Sequence, residues 1–308
     1  MINSLIDLLD SLQSEEDCRE FLEAIRWNGG STPICPHCGS QSKEHYKLTN
    51  GGQYRGLHKC KDCNKRFTVT VGTMFEGSHI PLRKWFVAIY MFLAHKKGIS
   101  SMQLHKDIAV TQKTAWFMLS RIRYNLRNIK YIIYGDVTQV DETYIGGKNK
   151  NRNAGKRLKN TRGRSLKLKT PVMGMLSNGR VYTEVIPKAS KWILQRAINT
   201  FVPNGSTVVT DGWYGYKGLH ENYEHKVVDH HRGEYVKGGY HTNSIEGFWS
   251  QLKRGIVGVY HLVSKKHLEL YCDEFACRYN TRDIEDGQRF GVFLTIANDR
   301  LRYCDLTL

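Results

Sequence analysis

The spacing of apolar residues predicts helices at both ends of the first third of the chain. In residues 1–30, a Ser14/Asp17 pair typical of helix capping precedes four apolar residues at i, i+3, i+4 and i+7: Cys18, Phe21, Leu22 and Ile25. Residues 80–95 repeat this one-sided pattern. Between them, residues 31–76 contain short strand-like segments and glycine-rich turns, so we expect a small β-rich segment between two helical ones.

Residues 99–126 show a pattern typical of a helix-turn-helix. Ser100 or Ser101 is placed to cap a short helix, Val110 and Thr111 to form a turn, and Thr111 to cap a second helix. The outward residues near the start of that second helix are Gln112, Lys113, Thr114 and Trp116. A recognition helix carries its base-reading side chains at this place. The pattern predicts DNA contact here, with an ordinary helical hairpin as the alternative.

From residue 137 onward, strands and helices follow each other. β-rich segments occupy residues 137–145, 170–176, 181–186, 207–210 and 225–228. Helical spacing is found in residues 190–201, 243–255, 265–279 and 287–296. Three successive strands, a helix, another strand and then helices predict an α/β domain with a mixed sheet.

Composition and charge restrict the function classes. The chain has 308 residues, 40% hydrophobic and 24% charged, which excludes disordered and collagen-like proteins. Its net charge of +17 indicates a polyanionic partner, for which nucleic acid is the most economical choice. The longest apolar run, Trp85–Ala94, is too short to cross a bilayer, and residues 1–12 lack a signal-peptide pattern. We therefore expect a cytoplasmic protein with no membrane partner.

Residues 148–169 form a strongly basic segment. It contains ten Lys and Arg and no acidic residue, with Asn and Gly interspersed. A solvated loop between two strands is one interpretation, and an arm that binds backbone phosphate is the other. The absence of any acidic residue favours the arm, whose predicted DNA contacts are Lys148, Lys150, Arg152, Lys156, Arg157, Arg162 and Arg164.

Four of the eight cysteines form two Cys-x-x-Cys pairs. These are Cys35 with Cys38, and Cys60 with Cys63; the other four lie scattered through helix-like sequence. Two such pairs are typical of a tetrathiolate zinc site, which leaves no open position and is therefore structural. Disulfides fit less well because secretory features are lacking, and a redox motif needs only one pair.

Three acidic residues lie in unusual sequence surroundings. Asp141 is in the middle of a predicted strand, Asp211 follows the end of another, and Glu246 lies early in a helix with Lys253 two turns later. Each has a structural alternative: Asp211 begins a turn, Asn243 and Glu246 form a capping box, and Asp141 pairs with an Arg. Together, oxygen ligands on neighbouring strands and a facing helix are what phosphoryl transfer with two Mg²⁺ ions requires.

The chain resembles the bacterial insertion-sequence transposases of the DDE type, in the Merlin-related family with an N-terminal zinc ribbon. The resemblance covers nearly the whole chain. It rests on the four cysteines and on the segments Val140-Asp-Glu-Thr-Tyr-Ile-Gly-Gly-Lys148, Lys169-Thr-Pro-Val-Met-Gly174, Thr210-Asp211, Gly233-Glu-Tyr-Val236, His241-Thr-Asn-Ser-Ile-Glu-Gly-Phe-Trp249 and Leu252-Lys-Arg-Gly255.

The resemblance implies an RNase H-like catalytic domain in the second half of the chain. Asp141 and Asp211 would be its first two catalytic carboxylates, Glu246 or Asn243 the third member, and Lys253 a DNA-contacting helper, with Arg254 beside it. The charge argument favours Glu246 over Asn243, because Mg²⁺ or Mn²⁺ prefers a carboxylate to an amide. Structural Zn²⁺ and two catalytic ions are the implied metals.

The predicted function is that of a nucleoid-associated DNA transposase that binds the terminal inverted repeats of its element as double-stranded DNA. It would cut the ends and join the 3′-hydroxyls to target DNA, assembled as a homo-oligomer. A non-catalytic DNA-binding regulator and a nuclease without strand transfer are the alternatives. The predicted parts are a helical segment (1–30), a zinc ribbon (31–76), a helical, helix-turn-helix-like region (77–132) and the catalytic domain (133–308), which carries the basic insertion 148–169.

Overall fold

The computed structural model describes residues 2–27, 29, 32–50, 53–128, 135–161, 164–229 and 232–307. They form two compact units. The first contains Met1–Asn128 together with Asp283–Leu308, and the second contains Ile129–Arg282. The structure thus groups the last segment of the chain with the N-terminal residues, whereas the four-part division by sequence remains a prediction.

Helices form most of the first unit. Their bounds are α1 Leu5–Ser11, α2 Glu15–Arg26, α3 Leu82–Ala94, α4 Ser101–Asp107, α5 Gln112–Leu126, α9 Asp286–Ile296 and α10 Tyr303–Thr307. The capping box at Ser14 and Asp17 is present as predicted, and Ser4 with Asp7 forms a second one. Phe21, Phe86 and Phe290 join α2, α3 and α9, with ring centroids 5.8–6.3 Å apart.

The predicted helix-turn-helix corresponds to α4 and α5. Ser100 caps α4 by accepting from the Gln103 N–H, and Thr111 caps α5 by accepting from the Thr114 N–H. The turn lies one or two residues earlier than predicted, because Ala109, which follows the C-cap residue Ile108 of α4, adopts a positive φ of 49°. At the start of α5, Gln112 and Lys113 are exposed and Thr114 and Trp116 are partly exposed.

A three-stranded antiparallel sheet forms the cysteine-rich part of the first unit. Its strands are β1 Tyr46–Asn50, β2 Gln53–Lys59 and β3 Arg66–Phe67, in that order. The last strand contains only two residues. Phe67, at its end, is buried and stacks on His58 of β2.

The two Cys-x-x-Cys pairs form matching turns. The Gly39 N–H donates to the Cys35 carbonyl at 2.9 Å, and the Asn64 N–H donates to the Cys60 carbonyl at 3.1 Å. Both Gly39 and Asn64 have positive φ, which these two residue types tolerate best. The four cysteine Sγ atoms lie within 4.8 Å of one another. Four thiolates this close form a closed set that suits a structural zinc ion.

The second unit is built on a five-stranded mixed sheet with the order β6-β5-β4-β7-β8. β4 and β5 are antiparallel, as are β5 and β6, whereas β7 and β8 run parallel to β4. This is the RNase H-like mixed sheet that the family resemblance implies. The strand bounds are β4 Val137–Gly146, β5 Lys169–Ser177, β6 Arg180–Val185, β7 Thr207–Asp211 and β8 Glu224–Val228.

Helices cover both faces of this sheet. They are α6 Lys191–Phe201, α7 Asn243–Gly255 and α8 Leu268–Asn280. Alternate residues of a strand point to opposite faces, so Val140 and Met173 face α6, while Ile145 and Val172 face α7 and α8. The three helices therefore enclose two separate apolar cores.

Among the described residues, no helix combines the length and apolar character that crossing a membrane would take.

We expect the Cys60→Ser variant to lose its metal and the cysteine-rich segment to lose its fold, because that segment has little apolar core of its own. Metal analysis of the purified protein should find about one zinc per chain in the wild type and almost none in the variant. The exposed Cys304 lies outside the cluster, so Cys304→Ser is the matched control and should keep its zinc. A Cys60→Ser protein with a full complement of zinc would contradict the assignment.

Candidate active site

Asp141 lies in the middle of β4, directly opposite Gly174 of β5. Its Oδ2 accepts a hydrogen bond of 3.0 Å from Trp249 Nε1 on α7, and its Oδ1 accepts one of 2.8 Å from the Glu142 N–H. The mid-strand carboxylate is thus held by two donors. Neither donor is an Arg, so these two hydrogen bonds, and not the alternative Asp–Arg pair, position this side chain.

The electrostatic surroundings disfavour a charge on Asp141. Burial raises the pKa of Asp141 to about 6, and the negative charges of Asp211 and Glu246 act in the same direction. The hydrogen bonds from the Glu142 N–H and from Trp249 oppose this shift without cancelling it. A shift of this kind, produced by desolvation and by like charges in a cleft, is typical of functional sites.

Asp211 is the last residue of β7, which lies next to β4 in the sheet. β4 and β7 are parallel, and the pairing of Gln139 with Val209, continued by two residues, brings Asp141 level with Asp211. The Asp211 side chain accepts a hydrogen bond of 3.1 Å from the Trp213 N–H, which shapes the turn after the strand. Asp211 therefore shapes the turn that the structural alternative predicted and also belongs to the candidate site.

Glu246 lies in the first turn of α7, where Thr242 Oγ1 donates to its Oε1 at 3.2 Å. It lines the same cleft as the two aspartates. That cleft has a volume of about 370 Å³ and is lined by Asp141, Arg164, Asp211, Gly212, Trp213, Tyr214, Thr242 and Glu246. The fold thus brings together three carboxylates that are far apart in sequence, from β4, β7 and α7.

Asn243 occupies a different place from the one that the capping-box alternative requires. It is the first residue of α7, and Thr242 holds the N-cap position without a side-chain cap hydrogen bond. The capping box of Asn243 with Glu246 is therefore wrong. Asn243 is exposed and is not among the described residues that line the cleft.

Lys253 and Arg254 lie in the last turn of α7 and are exposed. Desolvation by the surrounding protein lowers the pKa of Lys253, and the nearby Asp141 acts against that shift. The Lys253 ammonium is therefore close enough to the carboxylates to interact with Asp141 electrostatically. It is not among the described residues that line the cleft.

Two contacts hold α7 against the sheet. The Ile245 N–H donates to Gln139 Oε1 of β4 at 3.2 Å, which anchors the start of the helix. Farther along, Gly174 has no side chain, and a Cβ atom there would lie 2.5 Å from the Trp249 ring and 2.9 Å from Ile245. The glycine therefore permits the close approach that lets Trp249 reach Asp141.

Glu142 is a site residue that sequence reasoning missed. Its side chain is buried, and its carboxylate accepts a hydrogen bond of 2.6 Å from the Tyr216 hydroxyl and forms an ion pair with Arg164. Burial raises the pKa of Glu142 to about 7, with the Tyr216 and Arg164 contacts opposing. The signal in the sequence was a second charged residue in an apolar strand, on the opposite face from Asp141.

The basic segment between β4 and β5 presents most of its side chains to solvent. Of the predicted DNA contacts, Lys148, Lys150, Arg152, Lys156 and Arg157 are exposed, and Arg162 lies outside the described residues. Arg164 differs from the others because it turns toward Glu142 and Asp211.

We expect Gly174→Ala to destabilise the second unit by about 1–3 kcal/mol, because the added methyl group overpacks the contact with Trp249. Gly247→Ala is the control on the same helix that approaches Gly174, since a Cβ at residue 247 meets nothing within 4 Å. That control should stabilise the protein by up to about 1 kcal/mol. Denaturant unfolding of both variants measures the two effects, and equal effects would show that Gly174 is not a close-approach position.

Comparison with known proteins identifies relatives across both units. The sequence model of the ISXO2-like transposase domain matches residues 133–280, and that of a transposase zinc-ribbon domain matches residues 13–66. An uncharacterized protein in the transposable element ISH50 of Halobacterium salinarum is 32% identical over 277 residues, covering 86% of this chain and 90% of the relative.

Two further similarities are more distant. An uncharacterized transposase-like protein of Haemophilus influenzae is 29% identical over 107 residues, which is 34% of this chain and 85% of the relative. Among solved structures, the pre-cleavage Mos1 transpososome is 12% identical, with a TM-score of 0.28 over 70% of this chain and 79% of that one. From the matched domains and the ISH50 relative, the chain belongs to the ISXO2-like family of insertion-sequence transposases of the DDE type, with an N-terminal zinc ribbon.

Proposed function

We propose that this transposase binds the ends of its mobile element as double-stranded DNA, cuts the DNA there and joins the freed 3′-hydroxyls to target DNA. The observation that carries the proposal is the common cleft of Asp141, Asp211 and Glu246. Carboxylates repel DNA phosphate unless cations lie between them, so a DNA-processing protein has no use for this arrangement without metal ions.

The donor set of the cleft fits divalent cations. Its three carboxylates offer hard oxygen ligands. Burial contributes most to the raised pKa of Asp141, and bound cations would relieve the repulsion from Asp211 and Glu246 that adds to this shift.

Asp141, Asp211 and Glu246 would hold two Mg²⁺ or Mn²⁺ ions. When bound, such ions supply the activation of a water or 3′-hydroxyl and the stabilisation of the leaving oxygen. The protein contributes orientation: Trp249 holds one oxygen of Asp141, the Trp213 N–H holds Asp211, and Thr242 holds Glu246. Fixed side chains of this kind reduce the reorganisation that an in-line displacement requires.

Glu246 is our choice for the third member of the catalytic set. It lines the cleft, bears a charge, and contributes to the raised pKa of Asp141. Asn243 offers only a neutral carbonyl and lies three residues before Glu246, at the first position of the helix. Lys253, on the same helix and in electrostatic reach of Asp141, would contact DNA phosphate beside the carboxylates, and Arg254 would add a second positive charge.

Two surfaces would bind DNA outside the cleft. The exposed arm residues Lys148, Lys150, Arg152, Lys156 and Arg157 provide positive charge for backbone phosphates, and Arg162 belongs to the same proposed set. Gln112, Lys113 and Thr114 would read bases, and the support for this is that they lie at the start of a capped second helix. Joining two ends requires that both be held at once, so we expect a homo-oligomer on DNA.

We expect Asp211→Asn and Glu246→Gln to lower the cleavage rate at least about 10³-fold, since metal-mediated charge stabilisation is worth several kcal/mol. The substrate is labelled duplex DNA that carries the sequences flanking the coding region on each side, with Mg²⁺ added. DNA affinity, measured without divalent cations, should stay the same. Glu221→Gln removes an exposed carboxylate of the same unit and serves as the matched control.

Each other result of that experiment excludes part of the proposal. If Glu246→Gln is active and Asn243→Ala is folded but inactive, Asn243 is the third member. If the wild-type protein binds the ends and never cuts them, the regulator alternative is correct. If it cuts them without joining the products to a second duplex, the protein is a nuclease.

We expect substitution of four arm residues by Gln (Lys150, Arg152, Lys156 and Arg157) to weaken binding to all DNA sequences alike. The slope of log K against log salt should fall by about 0.9 for each lost phosphate contact. Removing charge at the exposed Lys188 and Arg196 is the control and should leave the slope unchanged. A loss confined to the element ends, with an unchanged slope, would make the arm a sequence reader.

A further inference from the structure

The side chain of Arg164, in the basic arm, contacts two carboxylates of the second unit. Its Nη2 lies 2.9 Å from Glu142 Oε1 and 3.9 Å from Asp211 Oδ2. Its guanidinium carbon lies 3.7 Å from the centroid of the Trp213 ring, which is cation–π geometry. The guanidinium therefore has a defined plane and position at the wall of the cleft.

Glu142 is the anchor of this arrangement. Its side chain is only 2% exposed, one oxygen faces Arg164, and the other accepts the Tyr216 hydroxyl at 2.6 Å. Tyr216 is itself buried in the core beneath α6. A carboxylate enclosed in this way cannot turn toward a ligand in the cleft, so its chemical role is to hold the arginine.

We infer that Arg164 contacts a phosphate diester of the DNA bound in the cleft, next to the bond that is cut, and that Glu142 is the positioning residue that holds Arg164 there. The inference rests on the proposed function. Both observed contacts use Nη2, and the guanidinium has further N–H donors on Nη1 and Nε, in a planar fork that matches phosphate oxygens. The Arg164 side chain is 41% exposed, so part of it faces the space that the substrate would occupy.

The distances favour this role over one in which Arg164 merely occupies the place of a cation. Its contact with Glu142 is about 1 Å shorter than its contact with Asp211, as the 2.9 Å and 3.9 Å distances show. The Trp213 ring holds it from a third side. A cation bound by Asp211 would therefore remove only the weakest of three contacts, and Arg164 would stay at the cleft wall.

This role separates Arg164 from the rest of the arm. The Arg157 guanidinium, for comparison, donates to the carbonyls of Lys150 and Arg152 within the exposed arm and has no buried carboxylate behind it. An exposed arm residue contributes to affinity for any DNA. A fixed arginine beside the carboxylates would instead stabilise the transition state of the chemical step, because negative charge is redistributed over the phosphate oxygens during in-line attack.

The test uses the full-length protein, Mg²⁺ and the labelled duplexes that carry the flanking sequences. We expect Arg164→Ala to lower the cleavage rate at saturating DNA by about 10²–10³-fold, as removal of one preorganised donor does. The dissociation constant for DNA should rise about threefold or less, since only one of many phosphate contacts is lost. Arg196→Ala removes an exposed arginine on α6 and is the matched control for charge.

Three further variants test the positioning role. Glu142→Gln keeps a carbonyl for the Tyr216 hydroxyl and loses the charge that holds Arg164, so it should lower the rate in the same way without changing DNA affinity. Tyr216→Phe should have a smaller effect of the same kind. Arg164→Lys keeps the charge without the planar fork and should fall between the wild type and Arg164→Ala. Thermal unfolding of each variant confirms that it is folded.

A phosphate-specific measurement completes the test. Replacing single phosphates near the cut with uncharged methylphosphonates should slow the wild type at one position and leave Arg164→Ala no slower there. If wild type cuts and Arg164→Ala cuts equally fast, the inference is wrong while the proposed function stands. A faster Arg164→Ala would show an obstructing residue and also overturn it. If the wild type does not cut, the proposed function itself has failed.

Discussion

The close approach of helix α7 to the sheet at Gly174 is the constraint on which the cleft depends. Only a residue without a side chain lets the Trp249 ring lie this near the strand, and from there its Nε1 reaches Asp141 on the adjacent strand. The same contact sets the height of α7 above the sheet. It therefore also decides where the first turn of α7 presents Glu246 relative to the end of β7. A mid-strand carboxylate is tolerated because this packing supplies it with a donor.

The carboxylates of the cleft are unfavourable for the stability of the protein, and such an arrangement is expected at a functional site. Two aspartates and a glutamate line one small cleft, and burial, together with the repulsion from Asp211 and Glu246, raises the pKa of Asp141 to about 6. On the opposite face of β4, Glu142 is buried as well, and Arg164 and Tyr216 satisfy it. Consecutive acidic residues on one strand thus have different surroundings: one faces the cleft, and the other supports its wall. Buried charge on this scale is retained where binding or chemistry uses it.

The protein separates two kinds of metal ligand between its two units. In the first unit, four soft thiolates on two matching turns form a closed set, which suits a structural zinc ion and offers no free position. In the second unit, the oxygen ligands come from three different elements and face an open cleft. The first set is local and pre-shaped by two short turns. The second exists only once the whole sheet and α7 have assembled, so the proposed ions would bind there only after the unit has folded.

Features that depend on neighbours within a few residues were determined by the sequence alone. The capping residues Ser14, Ser100 and Thr111, the cysteine turns, and most strands and helices followed from local pattern, since hydrogen bonds to nearby backbone and side-chain periodicity decide them. Only the tertiary structure showed that Thr242, and not Asn243, occupies the N-cap position of α7. It also decided that Asp283–Leu308 belongs to the first unit and that Arg164 forms an ion pair with Glu142. The physical reason is that strand order, register and helix height determine which distant side chains meet, and these arise from long-range packing that no local spacing contains.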